Sequence, residues 1–321
     1  MKHAIHSRSV WDACGNIIGI IELDHGTYGK KYSCSDNMEL RSHLALWGKQ
    51  YACDSIMLLT QTDNADVHAE VFEPNAGTPT LPGGISSMCG NGIRAVGAFS
   101  KAKNRMPHKS LKVSTLSGTR TVTVEGNDRY SCDMGEFHDS PKAMHKYSTQ
   151  TIKEQTFRET LNAVEVLVGC PVLHYGIGLS GNADSQGNVD GEPHLVLIFD
   201  SSLYNDQSQS IGVVAQVGKL LTKNLVLFPH EINTNVSFIK EINTHVFELY
   251  NFTFERNLGN DPVRSITKSC GTGATALAGV LSRHYTFSAP SRIVVHNMGG
   301  KLEVTKKDNS LHLAGNAIRI G

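Results

Sequence analysis

The sequence carries no excess charge of either sign: Lys+Arg and Asp+Glu both count 30 in 321 residues. A nucleic-acid partner would call for a basic excess or stripe, so none is expected. Long hydrophobic runs are missing too. The longest, such as LVLIF at 195–199, are strand-sized and far too short to cross a membrane. Residues 1–26 lack the apolar core and small-residue cleavage site of a signal peptide and read as a loop followed by a strand. The seven cysteines (14, 34, 53, 89, 132, 170 and 270) are an odd number without C-x-x-C spacing. That argues against a disulfide framework or a zinc site and fits thiols in a reducing cytoplasm. HEIN at 230–233 lacks the second histidine of a metalloprotease motif, and the fifteen histidines form no ligand-spaced cluster. No metal and no cofactor are expected.

What is present is a chain long enough for two domains with real cores, 40% hydrophobic and 19% charged. It contains a repeat. SSMCGNGIRAVGAF (87–100) puts a cysteine before a glycine-rich turn and an apolar, helix-like segment, and KSCGTGATALAGVL (268–281) does so again. Beyond each cysteine come a strand, a glycine turn, a strand, a turn and a strand. Gly118 lies 29 residues past Cys89 and Gly300 lies 30 past Cys270; Gly135 and Gly315 lie 46 and 45 past. Alternating patterns such as VST and TVTV around Ser-Gly or Gly-Gly are hairpin signals. The expected fold is α+β, with two pseudo-symmetric domains, each a mixed or antiparallel sheet wrapped on a central helix. The expected domains are 1–136 with a closing strand at 309–321, and 137–308.

A helix N-terminus has unpaired N–H groups and about half a positive charge. A thiolate is stabilised there, so its pKa can fall below the free value of about 8.5. The N–H groups of Gly90, Asn91, Gly271 and Thr272 can hold a carboxylate, and glycine permits a turn with positive φ. If the two domains face one another, two thiols and two sets of donors converge on one cleft. Moving a proton off one face of an α-carbon and onto the other needs that set. A thiolate removes the α-hydrogen, a thiol protonates the opposite face, and the N–H donors stabilise the enolate-like carboxylate.

MCGNGIR and CGTGA resemble the two active-site cysteine motifs of the diaminopimelate epimerase family, cofactor-independent amino-acid epimerases. The resemblance runs in order along nearly the whole chain, through GNIIGIIE (15–22), PNAG (74–77), VSTLSGTRTVTV, CDMGEF, GEPHLVLIFD (191–200), INTNVSFI (232–239), FERNLG (254–259), NMGGKLEV (297–304) and AGNAIRIG. It implies Cys89 and Cys270 as the acid–base pair and carboxylate contacts from Gly90, Asn91, Gly271 and Thr272. It implies substrate contacts from Asn16, Asn75, Asn235, Glu255 and Arg256, and a histidine, His194, near the catalytic pair.

Three departures surround the end of the substrate that does not react. Glu192 stands where the family has an asparagine; a carboxylate there would repel a distal carboxylate and prefer a cation. Glu255 lies 15 residues before Cys270, farther than the family's spacing, and Asp261 is an alternative occupant of the acidic position. Ser55 replaces the family's glutamine. DPVRSITKSCGTG leans toward the proline-racemase type, yet MCGNG has asparagine where that family has histidine. The resulting expectation is an isomerase: an amino-acid racemase or epimerase acting on a basic or neutral polar amino acid. Diaminopimelate epimerase itself and a non-catalytic amino-acid-binding protein are the rivals. The partner expected is a small-molecule amino acid, without nucleic acid or membrane; a homodimer is left open.

Overall fold

The computed structural model describes residues 5–23, 34, 37–78, 80–106, 108–139, 154–182, 189, 191–200, 207–222, 224, 227, 232–243, 246–256, 265–285 and 292–321. The fold is mixed α and β, and five helices lie among the described residues. The chain divides into two compact units, Met1–Met134 with Leu313–Gly321, and Gly135–His312.

The first unit opens with strands β1 (Ile5–Ala13) and β2 (Asn16–Leu23), helix α1 (Met38–Gln50), then β3 (Ser55–Thr60), β4 (Val67–Gly77) and β5 (Pro82–Ser86). Helix α2 (Gly90–Ala102) follows, and then β6 (Ser110–Thr115), β7 (Gly118–Val124) and β8 (Arg129–Asp139). Pairing runs β1–β2–β3–β4–β6–β7–β8. Near the C-terminus, β16 (Ser310–Asn316) pairs with β8, and β17 (Ile318–Arg319) pairs back onto β1. The result is a closed eight-stranded barrel. Helix α2 packs against β1, β2, β3, β6 and β7 and is buried from Gly90 to Ser100. That burial is why its sequence is apolar on nearly every face. Helix α1 covers a second cluster in which Leu40, Leu44 and Trp47 meet Ile56, Leu58 and Phe72.

The second unit contains α3 (Glu154–Val168), β9 (Val172–Gly181), β10 (His194–Phe199), α4 (Gln207–Thr222), β11 (Asn233–Ile242) and β12 (Val246–Phe254). It continues with β13 (Ile266–Thr267), α5 (Gly271–His284), β14 (Arg292–Asn297) and β15 (Gly300–Lys307). Its strands pair β9–β10–β11–β12–β14–β15, with β10–β11 and β12–β14 parallel and the others antiparallel. Helix α5 packs against β9, β10, β11 and β15 and is buried from Gly273 to Leu281. Helices α3 and α4 share a core with the sheet through Phe157, Val164, Leu197, Val217 and Phe238. Each such side chain contributes roughly 1.5–3 kcal/mol of burial.

Each cysteine-headed helix thus sits in its own unit, packed on strands that precede it as well as strands that follow it. The hairpin glycines behave as their pattern requires: Gly118 and Gly300 have φ of 95° and 144°, open to glycine but rarely to other residues. No described helix is long and apolar enough to cross a membrane. Among the described residues, no group of three His, Cys, Asp or Glu is placed to hold a metal ion.

Candidate active site

Cys89 and Cys270 occupy the same local geometry. Each is the N-cap of its helix in an extended conformation, φ −139° and ψ 108° for Cys89, φ −132° and ψ 115° for Cys270. Each sulfur accepts the backbone N–H three residues on, from Gly92 and from Gly273, both at 3.3 Å. Serine and threonine satisfy helix ends this way; a sulfur doing so sits on the positive end of the helix dipole, which favours thiolate over thiol. Gly90 and Gly271 are the first helical residues, with no left-handed backbone, so the expected positive-φ turn is absent. Space explains Gly90 instead: a Cβ there would come within 2.9 Å of Leu313 and Met134.

In the first unit, Asn91 stands in the first turn of this helix, while Asn16 and Asn75 stand on β2 and β4. Asn91 is buried, and its Oδ1 accepts from Arg94 Nη2 at 2.6 Å. Arg94 also donates to the Asn316 carbonyl at 2.9 Å and approaches the Cys14 sulfur at 3.7 Å. Asn16 starts β2, two residues after Cys14; it is buried, and its Oδ1 has no hydrogen-bond partner. Asn75 is exposed on β4 and donates to the Cys53 carbonyl at 3.3 Å. The two asparagines share a neighbourhood, since the N–H of Asp54 donates to the Ile17 carbonyl at 2.8 Å. Arg94 escaped the sequence reading. Its spacing of three from Asn91 on one helix face was the available signal.

In the second unit the fold builds a continuous chain of polar groups. His194 Nδ1 meets Asn235 Oδ1 at 2.9 Å, and His194 Nε2 meets Thr272 Oγ1 at 3.1 Å. Thr272 Oγ1 in turn meets the Cys270 sulfur at 3.3 Å. Asn235 Nδ2 donates to the Gly273 carbonyl at 2.8 Å, which turns its oxygen toward the histidine. Nδ1 therefore carries the proton, Nε2 accepts from the threonine hydroxyl, and that hydroxyl is left to accept from the cysteine S–H. His194 is fully buried. Burial above all, with the Arg256 charge acting the same way against the Asn235 hydrogen bond, pushes its pKa down to about 4. The imidazole is neutral at physiological pH, consistent with both hydrogen bonds.

That shift has a consequence for stability. The folded pKa lies below the ordinary histidine value of about 6.5, so the unfolded chain takes up a proton first as pH falls. The contribution is intact above about pH 6.5 and is lost progressively down to about pH 4. By linkage the loss is about 3 kcal/mol. His194→Gln should therefore melt with a shallower pH dependence over that window than the wild type. Equal slopes in paired thermal melts would count against a neutral buried His194.

Glu192 and Arg256 form an ion pair, Arg256 Nη2 to Glu192 Oε2 at 2.6 Å, both half-buried. The Arg256 backbone N–H donates to Asn233 Oδ1 at 3.1 Å, which fixes the base of the side chain against β11. Glu255, its neighbour, is half-buried, and its N–H donates to the Ser265 carbonyl at 2.8 Å. Asp261 lies outside the described residues. Glu192, His194, Asn235, Arg256, Cys270 and Thr272 are thus brought within one unit, and Asn16, Asn75, Cys89, Gly90 and Asn91 within the other.

Over most of its length the chain aligns with curated diaminopimelate epimerases. The enzyme of Brachyspira hyodysenteriae is 26% identical over 292 residues, covering 90% of this chain and 89% of that protein. The enzyme of Methanocaldococcus jannaschii is 28% identical over 324 residues, covering 96% and 94%. The chain is a homologue of the diaminopimelate epimerases. No family model matches it. Among solved structures, a probable proline racemase from Agrobacterium radiobacter superposes with a TM-score of 0.61 at 13% identity, over 98% of this chain and 91% of that one. A hydroxyproline epimerase from Agrobacterium vitis gives 0.59 at 13%, over 98% and 89%. A phenazine biosynthesis protein of the PhzF family from Bacillus anthracis gives 0.58 at 12%, over 99% and 96%. At these identities the likeness is one of fold. With its diaminopimelate epimerase homologues, the chain falls among the isomerases, as an amino-acid epimerase or racemase.

Proposed function

We propose that this protein inverts the α-carbon of an amino acid without a cofactor, by proton exchange between Cys89 and Cys270. The observation that carries the reading is the shared N-cap geometry of the two cysteines, each sulfur 3.3 Å from a backbone N–H at the head of a buried helix. The two units are taken as copies of one plan, each supplying one cysteine. One sulfur, as thiolate, takes the α-hydrogen as a proton, and the C–H electron pair delocalises into the carboxylate. The N–H groups of Gly90, Asn91, Gly271 and Thr272 hold that developing dianion. The other sulfur, as thiol, delivers its proton to the opposite face, so the cycle ends with thiol and thiolate exchanged. Asn16, with its buried unpartnered oxygen, is suited to receive a hydrogen from the substrate's ammonium group.

The substrate in this reading is a basic or neutral polar amino acid. Arg256 is the cation that would hold a distal carboxylate, and Glu192 already occupies it. A second carboxylate about 4 Å from Glu192 would be repelled by roughly 4 kcal/mol at an effective dielectric near 20. A neutral or cationic side chain meets no such penalty.

Incubation with a panel of L- and D-amino acids in D₂O, scored by mass for α-deuterium, tests the proposal. Incorporation into basic or neutral polar amino acids ahead of diaminopimelate is the expected result. The curated relatives favour a second reading, diaminopimelate epimerase itself, and preference for diaminopimelate over the whole panel would select it. Binding without exchange of any amino acid would leave only a non-catalytic binding protein.

A further inference from the structure

The two repeats differ where they are most buried. Five residues after each cysteine stand Arg94 in the first repeat and Thr275 in the second; two residues after each hairpin glycine stand Arg120 and Leu302. All four are 0% exposed. The N-cap geometry of the two cysteines is the same, so their helix dipoles do not distinguish them. The buried side chains beneath them do.

Arg120 is buried on β7 two residues before Val122, which packs against Gly97 of α2. Val122 pairs with Cys132 across β7 and β8. Arg120 lies two residues before Val122 on β7 and Met134 two residues past Cys132 on β8, and the Met134 sulfur lies against Gly90, the residue after Cys89. Arg120 Nη2 donates to the Ser117 carbonyl at 3.0 Å, and the Ser117 N–H donates to the carbonyl of Ser87, two residues before Cys89, at 3.2 Å. Its Nε and Nη1 have no hydrogen-bond partner. A guanidinium does not deprotonate, so this is a fixed buried cation with two donors unused, a costly arrangement unless an anion is near.

The other groups around Cys89 supply little of that anion. Cys132 is a neutral thiol, pushed up to about 12 by burial above all, and its S–H donates to the Asp133 carbonyl at 3.3 Å. The half-buried Asp133 carboxylate offsets part of the Arg120 charge. Arg94 is bonded to an amide oxygen and a backbone carbonyl and sits against the Cys14 sulfur. Around Cys270 the balance is different. His194 is neutral, Arg256 is closed by Glu192, Glu255 is half-buried and Lys268 is exposed. Thr272 gives its hydrogen to His194 and is left to accept the S–H of Cys270.

We infer that Arg120 is a positioning residue that holds Cys89 as the thiolate, leaving Cys270 as the thiol, so the resting protein keeps its base in the first repeat and its acid in the second. The inference rests on the reading of these cysteines as an acid–base pair. Iodoacetamide labelling of the full chain, read by peptide mass spectrometry, reports both thiols without turnover. It therefore separates failure of this inference from failure of the racemase reading, which deuterium exchange reports. The quantity is the Cys89:Cys270 labelling ratio at about pH 6.5 divided by the same ratio at about pH 9.5, which cancels accessibility. The wild type should give on the order of tenfold or more, because one unit of separation between two thiols is tenfold in thiolate. Arg120→Leu, which copies the second repeat, should fall several-fold toward one, and Arg120→Lys should keep most of the wild-type value. A wild-type quotient near or below one overturns the inference even if the leucine variant does not fold. A folded Arg120→Leu protein with the wild-type quotient overturns the role of Arg120.

Discussion

Cys89→Ser and Cys270→Ser are each expected to lower inversion of the preferred amino acid by on the order of 10²–10⁴-fold while the protein stays folded. The structure makes serine an informative replacement. Each cysteine is an N-cap whose sulfur accepts a backbone N–H, and serine is among the best residues for that task. Helix and barrel packing are therefore retained, and what is lost is the acidity and nucleophilicity of sulfur. The two variants should melt close to the wild type, within the range of about 1 kcal/mol that separates good caps. Inversion is best followed by chiral chromatography beside deuterium exchange. A single remaining thiol can still exchange the α-hydrogen on its own face without changing configuration. Full inversion activity in Cys270→Ser would rule out the two-base mechanism. Loss of activity together with loss of the melting transition would show a structural effect, and Cys→Ala variants with intact melts would then carry the test.

The second large effect is expected at the Glu192–Arg256 pair. Glu192→Asn shortens the side chain by one methylene, removes its charge and frees the Arg256 guanidinium, which Asn233 still anchors through the backbone. A charge-assisted hydrogen bond contributes about 1.5–3 kcal/mol, and release from repulsion adds to it. The ratio of kcat/KM for diaminopimelate to that for the wild type's best substrate should therefore rise by about a hundredfold. The reciprocal control is Arg256→Met, which removes the cation and should leave diaminopimelate poor in either background. If Glu192→Asn leaves the ratio unchanged, the pair does not face the substrate, and the substrate class drawn from it falls with it.

Before any fold was known, the sequence determined the elements that depend on neighbours in the chain. A cysteine before Gly-Asn-Gly or Gly-Thr-Gly and an apolar segment predicts an N-capped, buried helix. Both helices begin at the residue after the cysteine. Alternation around Ser-Gly and Gly-Gly predicts hairpins, and β6–β7 and β14–β15 form them with a positive-φ glycine at each turn. These signals lie within a helical turn or a two-residue period, so local sterics and capping suffice to write them. One local inference did not hold: the glycines after the cysteines serve close packing, at least at Gly90, and not a left-handed turn.

The partners of the polar side chains were decided by tertiary structure alone. His194 reaches Asn235 across 41 residues and Thr272 across 78, and Glu192 reaches Arg256 across 64. No period or motif connects residues so far apart. The sequence marked Glu192 as a negative charge that would repel a distal carboxylate and prefer a cation; the fold placed the Arg256 guanidinium against it. Thr272 was expected to contribute a backbone N–H, and the fold also put its hydroxyl between a thiol and a neutral imidazole. Arg94 and Arg120 escaped the sequence reading, and it is the fold that buries them. Burial is a property of the whole assembled barrel. It turns a solvated cation into a fixed charge in a poorly screened interior.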